Sequence, residues 1–248
     1  KTELEKSCPK TASEKFQCSR DAFLYFIRYF SISYLGAFIC LIASGYWTIL
    51  AAILTSFGCI MAICEFVFYK EFIDPFFKKT DGYNISGTIE PSGEVQQSII
   101  ISGHYDSPHV FRFLNKNQKM YKFRILLTLF LYFFITAMSL WASYVWLTQP
   151  TSFTINQFLI FIMGGGLILM FQYFFFVSWD VSPGAGDNLI SSAMALRLAD
   201  HFSNLNLKHT RLIFLCPDAE ESGLRGAREY VKLHRETLQS ISTYNINM

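Results

Sequence analysis

Residues 99–106 read IIISGHYD, and this stretch decides how the rest of the chain is interpreted. Consecutive β-branched residues that end in Ser102 and Gly103 are typical of a short buried strand. The carboxyl end of that strand carries His104 and Asp106, whose side chains are of the kinds that bind metal ions. The sequence therefore predicts a buried strand with a candidate site at its end.

A second strand is predicted over residues 211–216, which read RLIFLC. It is followed closely by three acidic residues, Asp218, Glu220 and Glu221. Hydrolysis of an amide at a metal ion requires imidazole or carboxylate ligands and a separate carboxylate that accepts a proton from water. The ends of the two strands supply all of these groups.

A helix is predicted over residues 188–202, and Asp187 comes immediately before it. The predicted apolar face of this helix consists of Leu189, Ala193, Leu196 and Ala199. A further helix is predicted over 223–234. Strand, helix, strand and helix is the order of a doubly wound, mostly parallel α/β sheet, in which ligands bind outside the carboxyl ends of the strands. All the candidate ligands lie at that edge.

Three motifs together resemble those of the double-zinc aminopeptidase family, whose relatives include bacterial secreted aminopeptidases, glutamate carboxypeptidases and glutaminyl cyclases. Residues 103–107 correspond to its G-H-x-D-S motif, residues 184–188 to G-A-x-D-N, and residues 220–224 to E-E-x-G-L. The resemblance covers residues 83–108 and 180–248. It implies the zinc-peptidase fold, hydrolysis of peptides and two zinc ions.

The resemblance also implies a role for each motif residue. His104 would bind one zinc ion, Asp187 would bridge both ions, and Glu221 would bind the other. Asp106 would orient the site, and Glu220 would act as the general base. Gly186 stands where many relatives carry a further Asp, and Ser192 stands where many carry Gly.

Relatives need two more ligands, an Asp at the end of the strand after the Glu-Glu helix and a His farther on. Residues 241–248 are predicted to form that strand, and the sequence ends just before the expected Asp. Two protein ligands for each ion are fewer than the three that are typical of catalytic zinc. The chain, which begins at Lys1 rather than Met, is therefore interpreted as a fragment truncated at both ends, inactive by itself.

Composition predicts that the chain also enters a membrane. Of its residues, 52% are hydrophobic and 16% are charged, whereas a soluble domain has about 25% charged residues. No charged residue occurs from Tyr29 to Cys64 or from Ile125 to Trp179. Since a spanning helix needs about 20 residues, the second stretch holds two helices, predicted over 125–147 and 158–177 with a turn at 148–152.

The first uncharged stretch is shorter, and its interpretation is left open. It forms a hairpin that turns near residues 45–47 if Arg28 and Glu65 lie near helix ends and extend to the membrane surface. A single long span and a re-entrant pair are the alternatives. In the second stretch, residues 164–166 read GGG and predict close packing against a neighbouring helix.

These observations divide the chain into five segments. They are a polar, loose N-terminal arm (1–28), a first transmembrane hairpin (29–69), the first part of a peptidase domain (70–108), an inserted basic segment with a second transmembrane hairpin (109–179), and the incomplete second part of the peptidase domain (180–248). The predicted fold class is therefore an α/β sheet combined with α-helical transmembrane hairpins.

Basic residues predict the orientation in the membrane. Five of them precede the second hairpin with no acidic residue among them, namely Arg112, Lys116, Lys119, Lys122 and Arg124, whereas both hairpin turns are uncharged. The positive-inside rule then places the turns outside and the metal site on the cytoplasmic face. A net charge of +2 gives no indication of nucleic-acid binding, so the predicted partners are a peptide substrate and the lipid bilayer.

The predicted function is an integral-membrane, zinc-dependent exopeptidase that removes N-terminal residues from peptides. Two zinc ions that share Asp187 would acidify a water molecule, and Glu220 would accept its proton and pass it to the leaving amine. Two alternatives stay open. One is a catalytically inactive, peptidase-like membrane scaffold or accessory protein, and the other is a glutaminyl cyclase-like enzyme.

Overall fold

The computed structural model describes residues 1–150 and 157–248, which divide into two compact units. The sheet unit consists of Lys1–Asp21, Asp74–Pro108 and Val181–Met248. The helical unit consists of the described residues within Ala22–Ile73 and His109–Asp180. The helical unit is thus inserted into the sequence of the sheet unit at two places.

The described residues form seven strands and eight α-helices. The strands are β1 (Lys10–Cys18), β2 (Thr80–Ile89), β3 (Gln97–Ser102), β4 (His109–Phe111), β5 (Val177–Val181), β6 (Thr210–Cys216) and β7 (Ser242–Asn247). The helices are α1 (Tyr25–Ala43), α2 (Trp47–Ala62), α3 (Arg112–Lys116), α4 (Gln118–Thr148), α5 (Gln157–Phe174), α6 (Ile190–Ser203), α7 (Arg225–Leu233) and α8 (Arg235–Gln239). Shorter helical turns cover Leu4–Lys6, Ile63–Val67, Asp74–Phe76 and Ala185–Leu189.

Five strands of the sheet unit form one mixed sheet in the order β1-β2-β6-β3-β7. Strand β3 pairs in parallel with β6 on one side and with β7 on the other. Strand β2 is antiparallel to both β1 and β6. The parallel part is the part that the sequence predicted, and its strands carry the candidate ligands at their carboxyl ends.

Helices cover both faces of this sheet. Alternate residues of a strand point to opposite faces, and β3 and β6 are buried on both. On one face Ile101 and Phe214 pack with Ala195 and Ala199 of α6. On the other face Ile100, Ile213 and Leu215 pack with Tyr230 of α7. Burial on both faces explains why β3 and β6 are continuously apolar in sequence.

The face of α6 that packs on the sheet differs from the predicted one. Ala199 is buried as expected, but Leu189 and Ala193 are exposed. The other buried residues of the helix are Ser191, Ser192 and Ala195. The backbone of α6 also comes close to β3 here, since a Cβ atom added to Gly103 would lie 2.6 Å from the carbonyl carbon of Ser191, and the buried residues of α6 are small. Serine gives no apolar signal, so the spacing of the larger apolar residues misplaced the face.

The prediction of a loose N-terminal arm was wrong, because residues 10–18 form strand β1. It pairs with β2 along its whole length, from Lys10 opposite Thr88 to Cys18 opposite Thr80. Phe16 and Cys18 are buried, whereas their neighbours along the strand are polar. An edge strand with one solvated face alternates weakly between apolar and polar residues, and this pattern resembles a polar arm.

Two further predicted elements form close to their expected positions. Strand β7 lies within the predicted range and pairs with β3, as the order of the motifs required. The helix predicted over 223–234 begins only at Arg225. Its start is delayed because Gly223 and Leu224 have φ angles of 88° and 60°, in the left-handed region that does not continue into a helix.

The ends of each insertion lie side by side in the sheet unit. The hydroxyl of Ser19 donates a hydrogen bond to the carbonyl of Asp74 (3.1 Å), across the first insertion. The amide of Ser182 donates to the carbonyl of Pro108 (2.9 Å), across the second. Each insertion therefore leaves and re-enters at one point, so it interrupts the sequence of the sheet unit without separating its strands.

Four helices of the helical unit, α1, α2 with its continuation to Val67, α4 and α5, are long and apolar enough to cross a membrane. The first uncharged stretch forms two helices that are separated near residue 45, where the sequence analysis placed the turn of a hairpin, one of the alternatives left open. Many of their large apolar side chains are exposed, including Ile53 and Phe161. The turn predicted at 148–152 lies partly outside the described residues.

Aromatic hydroxyl groups join the helices of this unit. The ring of Tyr132 in α4 stacks on Phe30 of α1 with 3.9 Å between ring centroids. Its hydroxyl lies 2.8 Å from the hydroxyl of Ser33 and donates to the carbonyl of Thr55 in α2 at 3.2 Å. Glycine at position 166 leaves room for the hydroxyl of Tyr34, which confirms the predicted close packing at one position of the glycine run.

Glu65 does not extend to a surface, which was the condition that the sequence analysis attached to a hairpin. It lies near the end of α2 but is buried, and its carboxylate accepts a hydrogen bond of 2.9 Å from the amide of Ile73. Arg28, the second charged residue at the border of this stretch, is half-buried in the first turns of α1. A buried carboxylate needs hydrogen-bond donors, and the chain that follows α2 provides one.

Candidate metal centre

Three residues predicted as metal ligands meet at the carboxyl edge of the sheet. His104 follows β3, Asp187 precedes α6, and Glu221 lies in the loop after β6. Each offers one ligand atom, and the three atoms lie within 4.8 Å of one another. The imidazole Nε2 of His104 is 3.4 Å from Oδ1 of Asp187. His104 is buried, Glu221 is half-buried and Asp187 is exposed, so the group is open to solvent on one side.

Asp106 connects the end of β3 to the loop after β6. Its Oδ1 accepts a hydrogen bond from the amide of Glu220 (3.1 Å), and its Oδ2 accepts one from the amide of Glu221 (3.0 Å). The same Oδ1 lies 3.3 Å from Nδ1 of His104. Because Nδ1 faces Asp106, the opposite nitrogen of the ring faces Asp187. The sequence prediction gave Asp106 an orienting role, and its contacts are of that kind.

Glu220 supplies a carboxylate next to the three ligand atoms. Its Oε2 lies 3.5 Å from Nε2 of His104, and its side chain is half-buried. It is not one of the three residues whose ligand atoms form the group. The site therefore contains a carboxylate beside the ligands, which is the arrangement that a metal-assisted hydrolysis needs.

Crowding of carboxylates changes the acidity of the site. Burial, Asp187 and Glu220 together raise the pKa of Glu221 to about 7. Burial also raises the pKa of Glu220, and Asp106 and Asp187 act in the same direction. Burial lowers the pKa of His104, but Asp106 and Glu220 outweigh it and raise the value to about 9. Because metal ligands must be deprotonated, binding of a divalent cation at these residues would release protons.

The donor set fits zinc. One imidazole nitrogen and two carboxylate oxygens are ligands that Zn²⁺ commonly takes in catalytic sites. The second nitrogen of the imidazole lies against a carboxylate, and histidine ligands of metals usually have such a partner. The described residues form one such three-residue group.

Asn84 of β2 holds the loop after β6, and the sequence analysis missed it. We call residues 218–225 the acidic loop. The side-chain amide of Asn84 donates to the carbonyl of Gly226 (2.7 Å), and its oxygen accepts from the amide of Asp218 (3.2 Å). One buried side chain therefore ties the first residue of the acidic loop to the residue that follows the loop. A polar residue in an alternating strand gives no sequence signal that it is buried.

Two positions that depart from the family pattern behave differently in the structure. The hydroxyl of Ser192 lies 2.9 Å from the carbonyl oxygens of both Gly103 and His104, so it supports the chain that carries the histidine. At Gly186, by contrast, an added Cβ atom would meet no other atom within 4 Å. The serine is part of the packing, whereas the glycine leaves open space beside Asp187.

The end of β7 lies at the same edge. The amide of Met248 donates to the carbonyl of Ser102 (3.0 Å), and the carbonyl of Met248 accepts from the side chain of Asn188 (2.8 Å). Asn188 follows Asp187, and the peptide bond between them is cis. The strand predicted to follow the Glu-Glu helix therefore ends beside the candidate ligands.

Comparison with known proteins gives one match. Residues 176–248 match the sequence model of peptidase family M28. This match supports the double-zinc aminopeptidase-like family. The matched segment contains Asp187, Glu220 and Glu221, whereas His104 and Asp106 lie outside it. Neither the curated proteins nor the solved structures that were compared gave a match. The M28 match supports a hydrolase of the peptidase kind, and peptidases of family M28 are generally metal-dependent.

Zinc affinity should increase with pH. Glu221, with a pKa of about 7, and His104, with a pKa of about 9, must both lose protons before they bind the ion. We expect the zinc dissociation constant to fall about tenfold per pH unit between about pH 7 and 9, and more steeply below about pH 7. Chelator competition at several pH values measures this slope. A zinc affinity that does not change with pH would contradict the assignment of these two ligands.

Proposed function

We propose that the protein is an integral-membrane, zinc-dependent exopeptidase that removes N-terminal residues from peptides. The observation that carries the proposal is the group formed by His104, Asp187 and Glu221, with the carboxylate of Glu220 beside it. The M28 match over the segment that contains both glutamates supports it. Removal of N-terminal residues, rather than another cleavage, rests on the resemblance to aminopeptidases.

His104, Asp187 and Glu221 would hold zinc. The resemblance to the double-zinc family would give Asp187 a role toward a second ion as well. Its exposed carboxylate, 70% accessible at the open side of the group, has room for a second ion. Zinc supplies a Lewis acid that polarises a carbonyl group and lowers the pKa of water from about 16 to about 7.

Glu220 would transfer the proton. A carboxylate whose pKa is raised by burial and by neighbouring carboxylates accepts a proton more readily than an ordinary glutamate. Glu220 lies next to the histidine ligand but is free of the ligand group, so it can face the water that attacks the peptide carbonyl. It would then donate the same proton to the leaving amine. Asp106 would keep Glu220 in place through its hydrogen bond to the backbone amide.

The helical unit would anchor the protein in the bilayer. Four helices of spanning length and apolarity support a multi-pass arrangement. The basic residues between Arg112 and Arg124 precede the second pair of helices, so we propose that the peptidase domain faces the cytoplasm. Arg124 lies over the ring of Phe113 at 5.3 Å, as expected for a cation beside an aromatic residue.

Replacement of Glu220 by Gln tests the mechanism. Glutamine keeps the size of the side chain but cannot accept a proton, so the turnover number for aminoacyl reporter peptides should fall by about 10²- to 10⁴-fold. Zinc content should stay close to that of the wild-type protein, because Glu220 is not a ligand. Both quantities are measured on the full-length protein in detergent, by cleavage of the reporter and by elemental analysis.

The same measurements separate the alternatives. If zinc binds and Glu220→Gln cleaves as fast as the wild type, the proposed proton transfer is wrong. An absence of stoichiometric zinc and of cleavage would instead support an inactive scaffold or accessory protein. Loss of ammonia from peptides with N-terminal glutamine, without cleavage of reporters, would identify a glutaminyl cyclase-like enzyme.

Reporter fusions test the proposed orientation. A reporter inserted at 148–152 should give an extracytoplasmic signal, and one near residue 235 should give a cytoplasmic signal, because the basic residues retain the segment before α4 on the cytoplasmic side. Enzymes that are active on one side of the membrane only, fused at both positions, provide the measurement. A cytoplasmic signal from the turn would reverse the orientation.

A further inference from the structure

The acidic loop has a conformation that its own sequence does not set. Three of its residues, Ala219, Gly223 and Leu224, have positive φ angles of 54°, 88° and 60°. Glycine adopts this region freely, but Ala219 and Leu224 have side chains that disfavour it, so surrounding contacts must hold the loop in place there. Glu220 and Glu221 lie inside this part of the chain. The contacts that fix the loop therefore also fix where the two carboxylates point.

An ion pair holds the first end of the acidic loop. The guanidinium of Arg20 donates two hydrogen bonds to the carboxylate of Asp218, from Nη1 to Oδ1 (2.9 Å) and from Nη2 to Oδ2 (2.7 Å). The same carboxylate accepts from the amides of Tyr83 (3.2 Å) and Ala219 (2.8 Å). Two parallel hydrogen bonds between a guanidinium and a carboxylate fix the orientation of the carboxylate as well as its distance. Asp218 is buried, while Arg20 is 30% exposed at its side chain.

A second ion pair holds the other end. The Nε of Arg225 donates to Oδ2 of Asp74 at 3.0 Å, and its terminal nitrogen bonds to the second carboxylate oxygen. Arg225 is among the most deeply buried large side chains of the chain, at 1% exposure. Its backbone amide also donates to the carbonyl of Ala219 (3.1 Å), which closes the loop. Glu220 and Glu221 thus lie between two anchored positions.

The partners in both ion pairs come from the borders of the first insertion. Arg20 lies one residue before the end of the first segment of the sheet unit, and Asp74 is the first residue after the chain returns. Neither residue belongs to a motif or to the ligand group. The hydrogen bonds of their ion pairs go to Asp218 and Arg225, the two ends of the acidic loop, so the loop is the part of the site that they hold.

We propose that Arg20 and Asp74 are positioning residues, whose ion pairs with Asp218 and Arg225 set the direction in which Glu220 and Glu221 face the metal ligands. This inference rests on the proposed peptidase function. A displacement of about 1 Å in a catalytic group can lower the rate by about 10²-fold. Loss of one anchor should therefore reduce turnover more than it reduces substrate binding.

The substitution Arg20→Met, made in the full-length protein, tests the proposal. We expect kcat for reporter peptides to fall by about tenfold or more while KM changes less than about twofold. Arg20→Lys keeps the charge but not the paired hydrogen bonds, so its kcat should lie between those of the wild type and Arg20→Met. Asp74→Asn should likewise lower kcat while KM changes less than about twofold.

Arg211→Met is the matched control. Arg211 lies near the opposite end of β6, its side chain is 21% exposed, and its Nε bonds to Glu90 at 2.8 Å. The substitution Arg211→Met therefore removes an ion pair whose residues lie outside the acidic loop. If Arg20→Met lowers kcat no more than Arg211→Met does, the ion pair is only structural and the proposal fails.

Hydrogen exchange provides a readout that does not depend on activity. The amides of Glu220 and Glu221 are bonded to Asp106, so they should exchange faster in Arg20→Met than in the wild type, while peptides from β3 and α6 stay unchanged. In Arg211→Met the loop should exchange as in the wild type. If the wild type fails to cleave reporters, the proposed function fails, and the exchange data still decide whether Arg20 positions the loop. Unchanged loop exchange in Arg20→Met would overturn the inference.

Discussion

The carboxylate of Asp106 is the group on which the rest of the site depends. It accepts hydrogen bonds from the backbone amides of Glu220 and Glu221, and it lies against the imidazole of His104. Asp106 therefore joins the chain that follows β3 to the chain that follows β6. This contact is possible because β3 and β6 are parallel neighbours, with Ser102 opposite Leu215 at their carboxyl ends. The parallel pairing places both chain exits at one edge, and Asp106 fixes the distance between them.

The candidate metal ligands and the apolar helices belong to different units of the structure. All residues of the ligand group belong to the sheet unit, whereas the four apolar helices belong to the helical unit. The second insertion interrupts the chain between His104 and Asp187, yet its ends stay joined through Pro108 and Ser182. A sheet can accept so long an insertion because the loss of loop entropy grows only slowly with length. The ends of the first insertion hold the acidic loop.

Some features could be read from the sequence because they follow from a physical pattern. Strands β3 and β6 are buried on both faces, which requires the apolar runs that predicted them. His104, Asp187 and Glu221 were singled out because three motifs occur in the expected order, and the structure brings these residues together. The face of α6 was misplaced because two of its buried residues, Ser191 and Ser192, are polar and give no apolar signal. Nothing in the sequence indicated the roles of Asn84, Arg20 and Asp74. A polar residue type does not show by itself whether its side chain is exposed or is paired inside the protein.

The zinc affinity of Asp106→Asn, compared with that of the full-length wild type, tests the central claim most directly. Asparagine offers one carbonyl oxygen, and its amide group would face a backbone donor, so it cannot hold the amides of Glu220 and Glu221 together. The account predicts that the zinc dissociation constant increases by about 10- to 100-fold. An unchanged dissociation constant in a folded Asp106→Asn protein would contradict it.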